Sequence, residues 1–185
     1  MFGDIQNNQS KYSFTRLGDI CKLKSGGTPS RKNPEFSKGN VPWITTISLG
    51  KNYINDNDAV DFITEDAIKN SATKLIPSNS LLFGTRVGVG KCSINLVPMC
   101  TNQDIMAITE VDQNQYSLVF IKKVLETYIS FFNNHKRGTT IKGITADLLR
   151  SIAIPKAPIN VQDEYTEFVN QTDKSKYIEN NNTNL

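Results

Sequence analysis

Long apolar runs are missing from this chain of 185 residues: nothing in it approaches the ~18 consecutive apolar residues of a membrane span, and Met1 to Asn8 has no apolar stretch behind a basic cluster. A cytoplasmic protein is expected. Cysteine is scarce: Cys21, Cys92 and Cys100 are an odd set without a Cys-x-x-Cys pair, which argues against a disulfide framework or a structural zinc site and for buried free thiols. The lone histidine, His135, sits beside Lys136 at an expected helix end, where it suits the helix dipole or a phosphate better than general-base work. Acid clusters for a metal nuclease are absent, with no Pro-Asp ahead of an acid-x-Lys triplet, and Asp56, Asp58 and Asp61 lack the glycine and terminal glutamate of a calcium loop. Gly84 to Cys92 fails as a phosphate loop, because Thr85 and Cys92 stand where glycine and a hydroxyl residue are required. No Gly-x-Gly-x-x-Gly follows a strand, and Asn33-Pro34-Glu35-Phe36 puts a carboxylate where the Asn-Pro-Pro-Tyr motif of amino methyltransferases has proline. No catalytic residue, metal or cofactor is therefore assigned.

Two loops of similar chemistry are present instead: Ser25-Gly26-Gly27-Thr28-Pro29-Ser30-Arg31-Lys32 and Lys136-Arg137-Gly138-Thr139-Thr140-Ile141-Lys142-Gly143. Each sets glycine backbone amides beside hydroxyls and cations, a mixture that grips phosphate oxygens and leaves Arg and Lys free to reach base edges. The net charge is only +3, but Lys11 to Lys51 holds eight bases against two acids, Asp19 and Glu35, whereas Asn52 to Asp66 holds acids alone. Such polarity would turn the basic side of a domain toward a polyanion and the acidic side away.

The length fits one domain with a short appendage. Periodicity predicts a helical turn over Thr15 to Ile20, a strand over Ile20 to Lys24, and an edge strand over Val41 to Thr46, since Pro42 cannot donate to a ladder. Thr64 should cap a short helix that ends near Ser71. Ser80 to Arg86 and Asp104 to Thr109 read as core strands. The strongest helix spans about Tyr116 to Phe132, with Phe120, Val124, Tyr128 and Phe131 or Phe132 on its apolar stripe and Lys122, Lys123 and Glu126 largely off it. Thr145 should cap a turn through Leu149, and Ser151 to Ile154 a strand ended by Pro155. Asn160 should cap a final helix whose stripe is Val161, Tyr165, Phe168, Val169 and Thr172, with Asp163 and Glu164 at its positive end and Lys174 and Lys176 at its negative end. Residues 1–11 and 179–185 are expected to be disordered.

Taken in order, Arg16-Leu17-Gly18-Asp19-Ile20, Lys24 to Arg31, Val41-Pro42-Trp43-Ile44, Ser71 to Ser80, Thr101-Asn102-Gln103-Asp104, Gly138 to Ile144 and Leu148 to Pro155 resemble the specificity subunit of type I restriction-modification enzymes, over roughly Tyr12 to Lys176. The resemblance implies an α+β fold: a single target-recognition domain with a mixed or antiparallel sheet flanked by short helices over 12–158, followed by a conserved spacer or dimerisation helix over 159–178. It implies a non-catalytic subunit that binds double-stranded DNA, reads one half of a bipartite target, and docks modification (methyltransferase) subunits and, through them, restriction subunits. That family carries two such domains and two long helices, so this chain resembles a half-subunit or truncated form, and pairing of two copies through the final helix would restore a two-domain reader. The Pro-Pro-Leu entry and glutamine of the family's last helix read here as Ala157-Pro158-Ile159 and Gln162-Asp163.

Within this frame Arg31, Arg86 and Arg137 are the candidates for base readout, since a guanidinium bonds guanine through two donors. Lys32, Lys91, Lys136 and Lys142, with Gly27, Thr28, Ser30, Thr139 and Thr140, are candidate phosphate contacts, and Thr45, Thr46, Ser48 and Asn102 are further candidates for base contact. Trp43 reads as core. Two other classes compete: a small DNA methyltransferase or nuclease with unrecognised motifs, and a protein that occupies modification subunits without touching DNA.

Overall fold

The computed structural model describes residues 11–137, 143–168 and 171. Along the chain run β1 (Phe14–Arg16), α1 (Leu17–Ile20), β2 (Lys22–Ser25), β3 (Val41–Ile44), β4 (Tyr53–Ile54), β5 (Asp61–Ile63), α2 (Glu65–Lys69), β6 (Leu75–Ile76), β7 (Leu81–Gly84), β8 (Cys92–Asn95), β9 (Met99–Thr101), β10 (Ile105–Thr109), α3 (Leu118–Thr127), α4 (Ile129–Asn134), α5 (Ala146–Arg150) and β11 (Ala153–Pro155). A further helix, α6, covers 159–168. Thr64 and Thr145 cap α2 and α5 as expected, their hydroxyls accepting from the amides of Ala67 at 3.1 Å and Leu148 at 3.2 Å. Asn160 does not cap α6: it lies inside the helix, and the Pro158 carbonyl accepts the first two amide bonds, from Val161 and Gln162.

Two mixed sheets form the body. One has the order β2-β10-β7-β8-β4, antiparallel except for β4 beside β8; the other has the order β5-β3-β9-β6, with β3 and β9 parallel. Strand alternation sorts their side chains. Leu82, Ile105 and Ala107 point from the five-stranded sheet toward Ile44, Ile76 and Met99 of the four-stranded one. Leu81, Phe83, Cys92, Ile94 and Ile108 face the other way, onto Phe120, Ile121, Val124, Leu125 and Phe132 of α3 and α4. The result is the α+β arrangement the sequence led us to expect, with β1 and β11 paired where the ends of the fold meet.

Three expectations change. β3 is an interior strand, not an edge, and Pro42 is tolerated because the ladder to β9 begins only at Trp43 and Cys100. The long helix is two helices, breaking at Tyr128 where the Thr127 hydroxyl donates to Val124 O at 2.7 Å and competes for a carbonyl of the helical ladder. The break lets Phe132 turn onto Phe83, ring centroids 5.2 Å apart. Lys122 and Lys123 are buried, not solvated, because β8 packs on α3 and Asn52, just ahead of β4, reaches it: the Lys122 ammonium donates to Asn52 Oδ1 at 3.1 Å and pairs with Glu126, which lies 3.5 Å from Lys123 Nζ.

Cys92 and Cys100 are buried and Cys21 partly so. Burial pushes the Cys21 and Cys100 thiols up to about 11 and Cys92 higher still, so all three stay protonated at neutral pH. Among the described residues, no helix is long and apolar enough to cross a membrane.

Candidate nucleic-acid interface

Strand register decides where the loops go. Ser25 pairs with Met106, Gly84 with Ile105, and Phe83 with Cys92. The chain therefore leaves β2, turns between β7 and β8, and enters β10 all at one end of the five-stranded sheet. Ile44 pairs with Thr101 in parallel, so the segment after β3 emerges at the same end.

The first loop is fastened to this rim by its glycines. Gly26 N–H donates to Ile105 O at 3.2 Å and Gly27 N–H to Thr101 O at 2.8 Å, and both residues are buried. A Cβ on Gly26 would stand 2.1 Å from Thr101 Oγ1 and 2.2 Å from Asn102 O, so glycine is required here by close approach of two backbones. Gly27 thus uses its amide inside the protein and does not offer it to a phosphate, which corrects its assignment as a contact residue. Beyond this anchor the loop opens: the Thr28 hydroxyl donates to Gln103 Oε1 at 2.6 Å, and Ser30 Oγ accepts from Lys32 N at 3.3 Å. Arg31 and Lys32 are exposed and form no ion pair among the described residues.

Asp104 joins the first loop to the rest of the rim. Its carbonyl accepts from Thr85 N at 2.8 Å and Thr85 Oγ1 at 3.0 Å, and its carboxylate lies 3.5 Å from Arg86 Nη1, orienting a guanidinium that stays half exposed. Gly88 and Gly90, at φ of +65° and +88°, close the β7–β8 turn and leave Lys91 exposed. This segment joins two antiparallel strands, whereas a phosphate loop runs into a helix.

The second loop is held by its neck. Arg137 and Gly143 exchange two amide bonds of 2.8 Å, and Ile144 N–H donates to Thr85 O at 2.9 Å. A Cβ on Gly143 would reach 2.7 Å from Arg86 Cγ, so the neck lies directly on the β7–β8 turn. Arg137 is exposed and Lys136 half-buried. Thr139, Thr140 and Lys142 fall outside the described residues. His135 stacks on Phe131 at 4.1 Å, and its Nδ1–H donates to Phe131 O at 2.8 Å, a tautomer fixed by the acceptor-only carbonyl.

Other sequence candidates are placed differently. Thr46 is buried, and Asn102 is buried with its Oδ1 accepting from Asp104 N, so both shape the rim from beneath. Ser48 donates to Asp58 O at 2.8 Å. Trp43 is core, its Nε1–H donating to Gly27 O at 3.0 Å. The acids of Asn52 to Asp66 do not all turn away. Asp58 lies 2.5 Å from Lys51, whose hydrogen bond holds its carboxyl below the usual range, and Asp61 lines a cavity beside Arg31. At the far end of the sheet Glu110 binds Lys22 at 2.7 Å, and this partner holds the Glu110 carboxyl below its ordinary range. Sequence reasoning gave Gln103, Asp104 and Asp61 no individual role. Gln103 and Asp104 carried a signal as polar residues entering a core strand; Asp61 carried none.

On α6, Val161 and Tyr165 pack on the core of their own chain, Tyr165 meeting Phe120 edge to face at 5.9 Å, while Phe168 is 65% exposed. Val169 and Thr172 fall outside the described residues.

Comparison with known proteins adds the following. Residues 9–185 match the family model described as the type I restriction modification DNA specificity domain. The chain is 30% identical over 172 residues to the type I restriction enzyme EcoR124I/EcoR124II specificity subunit of Escherichia coli, covering 89% of this chain and 42% of that protein. It is 26% identical over 153 residues to the MjaIX specificity subunit of Methanocaldococcus jannaschii, covering 82% and 35%. The fold is similar to the HsdS subunit from Thermoanaerobacter tengcongensis (TM-score 0.68, 16% identity, 89% of this chain and 37% of that one) and to the S subunit from M. genitalium (TM-score 0.61, 16% identity, 91% and 40%). The chain spans less than half the length of each of these relatives.

Proposed function

This chain belongs to the type I restriction modification DNA specificity family, and from that premise we propose that its rim binds double-stranded DNA and reads one half of a bipartite target. The supporting observation is that the loops bearing Arg31, Lys32, Arg86, Lys91, Lys136 and Arg137 are anchored at one end of the five-stranded sheet, with most of these cations exposed. Rigid backbone bonds hold the stems while the long cationic side chains remain open to an anion. Cations brought to a duplex displace counterions from phosphates, and guanidinium groups have the donor geometry for guanine. The subunit performs no chemistry in this reading: it positions the modification subunits of a cytoplasmic complex. The body over 12–158 reads DNA, and the segment over 159–178, helical as α6 over 159–168, spaces and docks. If two copies pair through this helix, Phe168 and the residues after it carry the contact, because Val161 and Tyr165 already serve the core.

The test is binding of the full chain to duplex DNA, followed by anisotropy across salt concentrations. Lys91→Ala and Lys136→Ala should each flatten the dependence of log affinity on log salt by about one unit and weaken all sequences alike. Arg86→Ala should cost about 1–3 kcal/mol on the preferred sequence and relax one position of it. Unchanged affinity and slope after removal of Lys32, Lys91, Lys136 and Lys142 together would sink the proposal.

A further inference from the structure

A cavity of about 220 Å³ opens between the first loop and the start of β5, lined by Thr28, Ser30, Arg31, Phe36, Trp43 and Asp61 among others. Its floor is apolar: Phe36 and Trp43 are 8% and 6% exposed. Loop and floor are tied together by the Trp43 bond to Gly27 O.

Two opposite charges share this cavity without meeting. No ion pair within 4.0 Å joins Arg31 to Asp61, although elsewhere on the chain acids beside cations do pair, as Asp58 does with Lys51 at 2.5 Å and Glu110 with Lys22 at 2.7 Å. Asp61 is fixed in place: Oδ1 accepts from Phe62 N at 2.8 Å and Oδ2 from Ser37 Oγ at 2.8 Å. Each oxygen keeps a lone pair, so the carboxylate is an oriented acceptor beside a free forked donor. A carboxylate on a phosphate-facing rim lowers non-specific affinity by repulsion. It favours a ligand that brings an amino group of its own.

We propose that Asp61 is a specificity-determining residue that reads, together with Arg31, the edge of one G·C base pair at the mouth of this cavity. The cytosine N4 amino group donates to Asp61 Oδ2, and Arg31 donates to guanine O6 and N7, the pairing of groups that a G·C edge offers in the major groove. The apolar floor limits water at the contact and strengthens both bonds. This inference rests on the DNA-reading role proposed above and names a discriminating contact within it.

Asp61→Asn gives a signed test. Oδ1 remains held by the Phe62 amide, so the new amide nitrogen takes the place of Oδ2; the Ser37 hydroxyl can turn to accept from it, and the fold is preserved. A donor then faces the cytosine amino group. Selection of the full chain on a randomised duplex library should enrich sequences with one fixed G·C pair that depends on Asp61. In competition binding, Asp61→Asn should lose roughly five- to 150-fold of the discrimination at that pair, while its affinity for unrelated duplex stays equal or rises. Arg31→Gln should relax the same pair. A variant Asp61→Asn as selective as the parent at every position overturns the inference and leaves DNA reading intact. So does relaxation by the two variants at different positions, or at an A·T pair. A parent chain that enriches no sequence overturns both readings. Should Asp61→Asn not fold, Arg31→Gln decides alone, since Arg31 lies on an exposed loop: relaxation anywhere but a G·C pair defeats the proposal.

Discussion

Replacement of Glu126 by alanine is expected to destabilise the protein by about 3 kcal/mol, measured as a fall in the urea midpoint at unchanged slope. Glu126 is the carboxylate that faces both Lys122 and Lys123, whose side chains are only 4% and 9% exposed. Without it the Lys122 ammonium retains Asn52 Oδ1 as a neutral partner, inside a layer closed by β8. Breaking a buried pair costs about 3–5 kcal/mol because a charge is left in low dielectric. The lower end applies here, since a third of the Glu126 side chain is solvated. The double replacement Lys122→Met with Glu126→Leu should recover part of the loss, because an apolar pair removes the Lys122 charge, while Lys123 still lacks the carboxylate it faced. Asn52 also accepts from Ile94 N at 2.9 Å, so the single variant should loosen β4 against β8 and raise amide exchange there first. A midpoint within about 0.5 kcal/mol of the parent would show that water reaches Lys122 freely and that the pair is a surface feature.

The second large effect is expected at Gln162, the pin that holds α6 to the body. It is fully buried; its Oε1 accepts from Ser117 N at 2.9 Å, and its Nε2 donates to Gln115 O at 2.7 Å and Ala157 O at 2.8 Å. Leucine is apolar and branches one carbon nearer the backbone, so it offers no polar atom to these partners. Gln162→Leu therefore strands the Ser117 amide at the start of α3 and the Ala157 carbonyl at the entry to α6, each at about 1–3 kcal/mol. A total loss of about 2–4 kcal/mol is expected, with α6 the first segment to exchange its amides. If α6 carries the docking function proposed for it, this variant should keep its DNA selectivity and lose its hold on modification subunits. Equal thermal midpoints for the variant and parent would mean that solvent satisfies those backbone groups and that α6 is only loosely seated.

Part of this organisation was legible in the chain itself. The caps at Thr64 and Thr145 could be read because the hydroxyl and the amide it serves lie three residues apart. The apolar strands β7 and β10 could be read because burial on both faces leaves a continuous apolar run. The order of short motifs from Arg16 to Pro155 was sufficient to suggest the family. Other features depended on partners distant in sequence. Pro42 implied an edge strand until the register with β9 showed that its missing amide falls outside the ladder. Lys122 and Lys123 belong on the solvent side of an isolated helical wheel, and only tertiary packing, with β8 against α3, buries them. Asn160 has the chemistry of a cap but sits inside the helix, because Pro158 starts it earlier.

The candidate interface divides along the same line. Sequence alone determined that the two glycine-bearing loops are rich in cations and hydroxyls, that phosphate-loop and dinucleotide signatures are absent, and that the chain resembles DNA specificity domains. Tertiary structure decided what each loop residue is used for. Gly27 looks like a phosphate contact in the sequence, yet its amide is consumed by Thr101 O. Arg31 and Lys51 are both cations near acids, yet Lys51 is neutralised by Asp58 while Arg31 faces Asp61 across an open cavity. Local sequence sets the charge a residue can carry. The path of the backbone sets which opposite charges come within a few ångströms, and with that, which cations are left for a ligand.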